Sequence, residues 1–143
     1  MTLPIWLLRA LLKPHQLPIA LRLAGYAFAV AVLLYLTLAP AKDLPNPNIW
    51  DKAEHAISWM VLAGIGLSFW PDRPGRIAAL SMFVGVLVEV LQSALPFGRD
   101  GDVRDLLGDG VGVAAALVVW AVVRACRRRF YPQAAAARPS GIT

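Results

Sequence analysis

Two aspartates, Asp105 and Asp109, stand at the head of an apolar segment that continues to Trp120. If this segment is helical, their spacing of four residues places both carboxylates on one face. An ionised acid held against lipid near the bilayer centre costs on the order of 3 kcal/mol. We therefore expect these two acids to face other protein groups or water.

Two further segments carry polar residues at helical spacing. Asp51 and His55 are four residues apart, and Glu89 and Gln92 are three apart. With a rise of 1.5 Å per residue, Glu89 and Asp109 both lie about 8–10 Å below the outer ends of their helices. The three predicted faces comprise Asp51, His55, Trp59, Leu62 and Gly66; Ser81, Gly85, Glu89, Gln92 and Pro96; and Asp102, Asp105, Asp109, Gly112 and Ala116. We expect them to meet at one level.

These residue types suit proton transfer and the binding of a charged group. His55 could act as a general base or acid oriented by Asp51, with Glu89 or Asp105 as the second proton-transfer group. Lys52 and Arg99 could hold a phosphate or carboxylate. The candidate catalytic residues are His55, Asp51, Glu89 and Asp105, and the candidate substrate-binding residues are Lys52, Gln92, Arg99 and Asp109.

The chain carries none of the common catalytic signatures: no G-x-S-x-G, no H-E-x-x-H and no glycine-rich phosphate loop. Its one cysteine, Cys126, cannot form an internal disulfide. The acids and His55 could hold a divalent ion, but their spacing matches no established metal motif. We therefore expect no cofactor, keep a divalent ion as the alternative, and leave open whether the protein is an enzyme.

The composition requires a membrane protein. Of the 143 residues, 58% are hydrophobic and 16% charged, and the mean hydropathy is +0.59. A span of about 20 residues predicts an all-α, four-helix transmembrane bundle with short loops in a single domain, 1–143. The predicted spans are 20–39, 51–70, 77–96 and 104–123.

Basic residues sort to one side of these spans. Ten of the 14 Lys and Arg residues flank one set of helix ends, which the positive-inside rule assigns to the cytoplasm together with both termini. Residues 1–18 are predicted to form an interfacial segment and 124–143 a basic, partly disordered tail. An A-x-A pattern at Ala39 to Ala41 leaves a cleaved signal peptide as the alternative for the first helix. The basic residues at these helix ends account for the net charge of +5, so we expect no nucleic-acid partner.

Three motifs in order, Asp51-Lys52-x-x-His55, Glu89-x-x-Gln92 and Arg99 followed by Asp105 and Gly112, resemble the VanZ-like family of small bacterial membrane proteins. The resemblance runs from the first helix through the fourth. At Asp109 this sequence departs from the family, which usually has asparagine there. The family's namesake is linked to reduced susceptibility to the glycopeptide teicoplanin. The resemblance therefore implies a multi-pass protein of the bacterial inner membrane with a role in the cell envelope.

Three functions fit this pattern. The first is an outward-facing pocket that binds or acts on an anionic group of a lipid-linked or cell-wall precursor. The second is a non-catalytic partner or assembly factor for an envelope protein, in which the polar residues form a structural clasp. The third is a proton- or ion-coupled transporter. Besides the lipid bilayer, the expected partner is the precursor or the envelope protein.

Overall fold

The computed structural model describes residues 13–39, 51–95 and 102–130, and only the backbone of Asp51. These residues form four α-helices and a short 3-10 turn at Pro14–Gln16, and none of them lies in a strand. The helices are α1 (Ile19–Leu38), α2 (Asp51–Phe69), α3 (Pro74–Ala94) and α4 (Val103–Phe130). The prediction of an all-helical fold is confirmed for this part of the chain.

The helix ends follow from local chemistry. Helix α1 ends at Leu38 because Ala39, which precedes Pro40, takes an extended conformation with ψ of 145°. Helix α3 begins at Pro74 rather than at Ile77, since proline is favourable in the first turn.

Helix α4 is longer than its predicted span of 104–123 and continues to Phe130. The basic residues Arg127, Arg128 and Arg129 lie in its last turn, where positive charge interacts favourably with the helix dipole. The first part of the predicted tail, 124–130, is therefore helical. Residues 131–143, and 1–12 of the predicted interfacial segment, lie outside the described residues.

The helices form an up-and-down bundle with α2 at its centre. Helix α2 packs most extensively against α4 and also contacts α1 and α3. It contributes Trp59, Leu62, Ala63 and Leu67 to the hydrophobic core. The other core residues are Tyr26 and Leu33 of α1, Ile77, Val84 and Val88 of α3, and Val113 and Ala116 of α4. Some residues of the predicted faces, such as Trp59 and Leu62, therefore belong to the apolar core.

Among the described helices, α1, α3 and α4 are long and apolar enough to cross a membrane, with hydropathies of 2.0, 1.9 and 2.1. Large apolar side chains such as Phe28, Phe83 and Val118 point away from the bundle, as expected for surfaces in lipid. Helix α2 is less apolar because Asp51, Lys52, Glu54 and His55 occupy its first turns. Its central position leaves less of its surface for lipid. Its membrane span remains a prediction.

The two ends of the bundle differ in charge, and the α2–α3 turn marks the basic end. Arg22 donates a hydrogen bond of 3.1 Å to the Phe69 carbonyl, and Arg124 donates one of 3.0 Å to the Pro71 carbonyl. Arg124 also lies 3.5 Å from Asp72. Arg22 of α1 thus satisfies the last carbonyl of α2, which lacks a partner within the helix, and Arg124 of α4 satisfies a carbonyl of the turn that follows. The acids of the polar faces lie at the opposite end.

Candidate functional site

A buried His–Asp pair lies at the centre of the acidic end. Nδ1 of His55 on α2 is 2.9 Å from Oδ1 of Asp109 on α4. Asp109 is completely buried and His55 is only 6% exposed. The His55 ring stacks on Trp59, whose indole N–H donates a hydrogen bond of 3.0 Å to the Ser81 carbonyl of α3. The position and plane of the imidazole are therefore fixed by contacts from two helices.

An ion pair between Lys52 and Asp105 lies on the more exposed side of this centre. Nζ of Lys52 lies 2.9 Å from Oδ1 of Asp105 and 3.6 Å from Oδ2 of Asp102. Oδ2 of Asp105 is also 3.8 Å from Nε2 of His55. Lys52 and Asp102 are partly exposed, whereas Asp105 is buried. Lys52 therefore forms the rim of the centre and compensates the charge of Asp105.

Asp102 caps the N-terminus of α4. Its Oδ1 accepts a hydrogen bond of 2.9 Å from the backbone N–H of Arg104. This hydrogen bond holds the pKa of the Asp102 carboxyl below its ordinary value, with a smaller contribution from the Lys52 ammonium group. The cap satisfies a backbone donor that has no partner within the helix.

Glu89 faces the His–Asp pair from α3. Both of its carboxylate oxygens are buried, and neither accepts a hydrogen bond from the described residues, although the Asp102 backbone amide lies nearby. Oδ2 of Asp109 is also buried and accepts none from them. Buried polar oxygens nearly always have a partner, because leaving one without a partner costs about 1–3 kcal/mol. Three such oxygens lie close together here, and side-chain packing alone does not explain why they are buried without partners.

Glycines allow the three helices to approach this closely. A Cβ atom at Gly112 would overlap the carbonyl oxygen of Ala56 on α2, so a larger residue would separate α2 and α4. A Cβ atom at Gly85 would lie 2.6 Å from Oδ2 of Asp109. The small residues of the predicted faces thus bring α3 and α4 into contact around the acids.

The structure brings together five of the predicted site residues: His55, Lys52, Glu89, Asp105 and Asp109. The sequence favours Asp51 as the partner that orients His55, and in the structure Oδ1 of Asp109 accepts a hydrogen bond from Nδ1 of His55. The side chain of Asp51 and the whole of Arg99 lie outside the described part of the chain.

Gln92, a candidate substrate-binding residue, contacts the end of α1 in the structure. Its Nε2 donates a hydrogen bond of 2.9 Å to the carbonyl of Thr37, which ties α3 to the end of α1. Sequence reasoning did not single out Thr37, although it is an isolated hydroxyl residue in the last turn of an apolar helix. Its own hydroxyl bonds to the Leu33 carbonyl one turn earlier.

Three of these residues could hold a metal ion. His55, Glu89 and Asp109 each offer one ligand atom, and these atoms lie within 4.8 Å of one another. One imidazole and two carboxylates form a donor set that suits first-row transition metals. The arrangement therefore permits either proton transfer between neighbouring acids and bases or the binding of a cation.

The basic end has a surface groove of about 820 Å³, lined by residues that include Asp72, Pro74, Trp120, Arg124, Arg128 and Arg129. It is separate from the outward pocket that the sequence predicts. The loops that would border that pocket, 40–50 and 96–101, lie outside the described residues.

No family model, curated protein or solved structure matches this chain.

Proposed function

We propose that this chain is a multi-pass protein of the bacterial inner membrane, related to the VanZ-like family, whose polar cluster acts on the head group of a lipid-linked envelope molecule. In this proposal α2 also crosses the membrane and both termini are cytoplasmic. The positive-inside rule supports that orientation, because Arg22, Arg124 and the three arginines after Cys126 belong to one end of the bundle. The polar cluster then lies in the outer leaflet.

Glu89 carries this proposal. Its two buried oxygens have no side-chain hydrogen-bond partner among the described residues, and they lie beside the Asp102 backbone amide and the His55–Asp109 pair. A buried acid without a partner reduces stability, and such groups are concentrated at functional sites. A role of the Glu89 carboxylate in binding or proton transfer would explain why an acid occupies this buried position.

The arrangement supports a division of roles. His55, oriented by Asp109, exchanges a proton with the bound group, and Glu89 or Asp105 provides the second acid or base. Lys52 and the exposed Arg104 lie at the outer end of the bundle, where they can attract a phosphate. Arg99, which the sequence assigns to the same role, remains part of the proposal. A change in the availability of such a molecule would alter glycopeptide susceptibility, as the resemblance implies.

The first test measures binding. The purified protein in detergent is melted with a polyprenyl phosphate, with a polyprenyl diphosphate and with phosphatidylglycerol, whose phosphate carries no polyprenyl chain. At about 100 times Kd, binding to the native state stabilises it by about 2.7 kcal/mol. We expect a polyprenyl lipid to raise the Tm of the wild type and of the control Glu54→Gln, and to leave that of His55→Gln unchanged.

Two results would contradict the proposal. One is an equal rise with phosphatidylglycerol, which would indicate nonspecific lipid binding. The other is an equal rise in His55→Gln, which would place binding elsewhere.

The second candidate function is a non-catalytic partner of an envelope protein. The complete burial of Asp109 and the close approach of Gly112 to α2 favour it, because both are features of a structural clasp. The clasp requires each acid to contribute to stability. Glu89→Gln separates the two candidates, since a clasp loses stability on this substitution and a functional site does not.

A further inference from the structure

The ligand atoms of His55, Glu89 and Asp109 come from three different helices and converge in a small volume. These atoms lie within 4.8 Å of one another. Bonds of about 2.0–2.1 Å in a tetrahedral zinc site place two ligand atoms about 3.3–3.4 Å apart. Small side-chain movements would therefore bring all three residues onto one ion.

The oxygens without partners point to the same conclusion independently of this spacing. Asp109 is completely buried, and its Oδ2 has no hydrogen-bond partner among the described residues. The same holds for both oxygens of Glu89. Oδ2 lies toward Gly85, one helical turn from Glu89, so the carboxylates of α4 and α3 are directed toward a shared space. A cation in this space would be the missing partner of both.

The charges of the cluster balance with one divalent ion. The Lys52 ammonium group compensates Asp105, and Asp102 is partly exposed to solvent. Among the described residues, Glu89 and Asp109 then remain as two carboxylates beside His55, and imidazole binds metal ions in its neutral form. A divalent cation makes this buried group neutral, whereas a monovalent cation leaves one uncompensated charge.

The donor set narrows the choice of ion. Magnesium and calcium prefer sites made of oxygen ligands, whereas an imidazole with two carboxylates suits zinc and manganese. Three protein ligands leave a coordination position open, as in catalytic zinc sites. We propose that His55, Glu89 and Asp109 together bind one zinc or manganese ion, with an open position that faces the head group.

This inference rests on the proposed function in that it treats the cluster as a working site rather than a clasp. With the ion bound, His55 and Glu89 would serve as ligands rather than as proton-transfer groups, and the ion would supply a Lewis acid to the bound group. The protein would hold that ion through three helices, with Lys52 and Asp105 as a neutral pair beside it. Removing the ion leaves the apolar core and the Arg22 and Arg124 contacts at the other end in place.

The experiment uses the full chain in detergent. The protein is stripped with a chelator and passed through a desalting column, and Zn²⁺, Mn²⁺, Mg²⁺ and Ca²⁺ are then added separately. Bound metal is counted by mass spectrometry, Tm is measured at each concentration, and Co²⁺ is used as a spectroscopic probe of the ligand field. The variants are His55→Gln, Glu89→Gln and Asp109→Asn, with Glu54→Gln as the control acid on α2, one position from His55.

We expect one Zn²⁺ or Mn²⁺ per chain in the wild type and in Glu54→Gln, with a rise in Tm that Mg²⁺ and Ca²⁺ do not produce. Because loss of an outer-shell partner already weakens metal affinity about 10–100-fold, we expect each ligand variant to lose at least about 100-fold. Melting of the chelated variants shows that each one is folded, so a loss of affinity is not mistaken for unfolding.

Absence of stoichiometric binding by the folded wild type would overturn the metal site. So would equal affinity in Glu89→Gln, or an equal loss in Glu54→Gln, which would indicate general attraction to acidic residues. Different results would contradict the proposed function and the metal site. If a polyprenyl lipid stabilises the protein and no metal binds, the metal site is wrong and lipid binding stands; if metal binds and no lipid does, the reverse holds.

Discussion

Asp109 accepts a hydrogen bond of 2.9 Å from His55 across the interface between α4 and α2, where both residues are buried, although they are 54 positions apart. The contact joins the two helices that pack together most extensively. It also presents Oδ2 of Asp109 to α3, where Glu89 lies. The same residue thus supports the bundle through one oxygen and leaves the other available for a ligand.

Neutralising Glu89 will stabilise the metal-free protein. Glu89→Gln keeps the size of the side chain and removes a buried acid that has no hydrogen-bond partner among the described residues. Because an amide costs less to bury than an ionised carboxylate, we expect stabilisation on the order of 1 kcal/mol, together with loss of lipid and metal binding. Thermal melting in the presence of a chelator measures the effect, and Glu54→Gln should change Tm little. A lower Tm in Glu89→Gln would show that Glu89 is paired and that the clasp is correct.

Asp109→Asn will be more stable than Asp109→Ala. In Asp109→Asn the side-chain oxygen can still accept a hydrogen bond from Nδ1 of neutral His55. Asp109→Ala removes this acceptor and leaves a cavity, so we expect it to lose about 1–3 kcal/mol relative to Asp109→Asn. Comparison of the two melting curves at neutral pH measures the difference. Equal stability of the two variants would mean that the observed hydrogen bond contributes nothing.

The sequence predicts which residues share a face more reliably than which residues touch. The helical repeat and rise place Glu89 and Asp109 at one level, and the structure brings both to His55. Spacing also favours Asp51 as the partner of His55, because residues four apart on one helix are neighbours. The contact of His55 with Asp109 depends instead on the rotation of α4 against α2, which the sequence of either helix alone does not contain. The role of Asp51 stays a prediction, because its side chain lies outside the described residues.

The ends of the helices are also difficult to predict from the sequence. A hydrophobic span ends where arginines begin, which places the end of α4 at Val123, but arginine is itself a good helix former. The backbone therefore remains helical to Phe130. The partner of Gln92 could not be predicted either, because its contact with Thr37 depends on how α1 packs against α3.

The Asp102 cap will make stability depend on pH. Because the folded protein lowers the pKa of Asp102, its stabilisation is present above the ordinary value of 3.8 and is lost as pH falls through the lower folded value. We expect the difference in Tm between wild type and Asp102→Ala to be constant above about pH 5 and to shrink in more acidic solution. Melting across this range tests it. The difference between Asp102→Asn and Asp102→Ala should not vary, since neither side chain titrates.

Substitution of two glycines on α4 will have opposite effects. A Cβ atom at Gly112 would overlap the Ala56 carbonyl oxygen and lie 2.9 Å from the Met60 backbone nitrogen. Both atoms belong to the backbone of α2, so the helices must separate, and we expect Gly112→Ala to destabilise the protein by about 1–3 kcal/mol. Gly110→Ala is the matched control, because a Cβ atom there has no neighbour within 4 Å. Alanine has a better helix propensity than glycine, so Gly110→Ala should stabilise the protein by up to about 1 kcal/mol.

Separation of α2 and α4 would also move His55 away from Asp109, so Gly112→Ala should weaken zinc or manganese binding while Gly110→Ala retains it. Equal melting temperatures for the two variants would contradict the close packing of α2 and α4 on which the site depends.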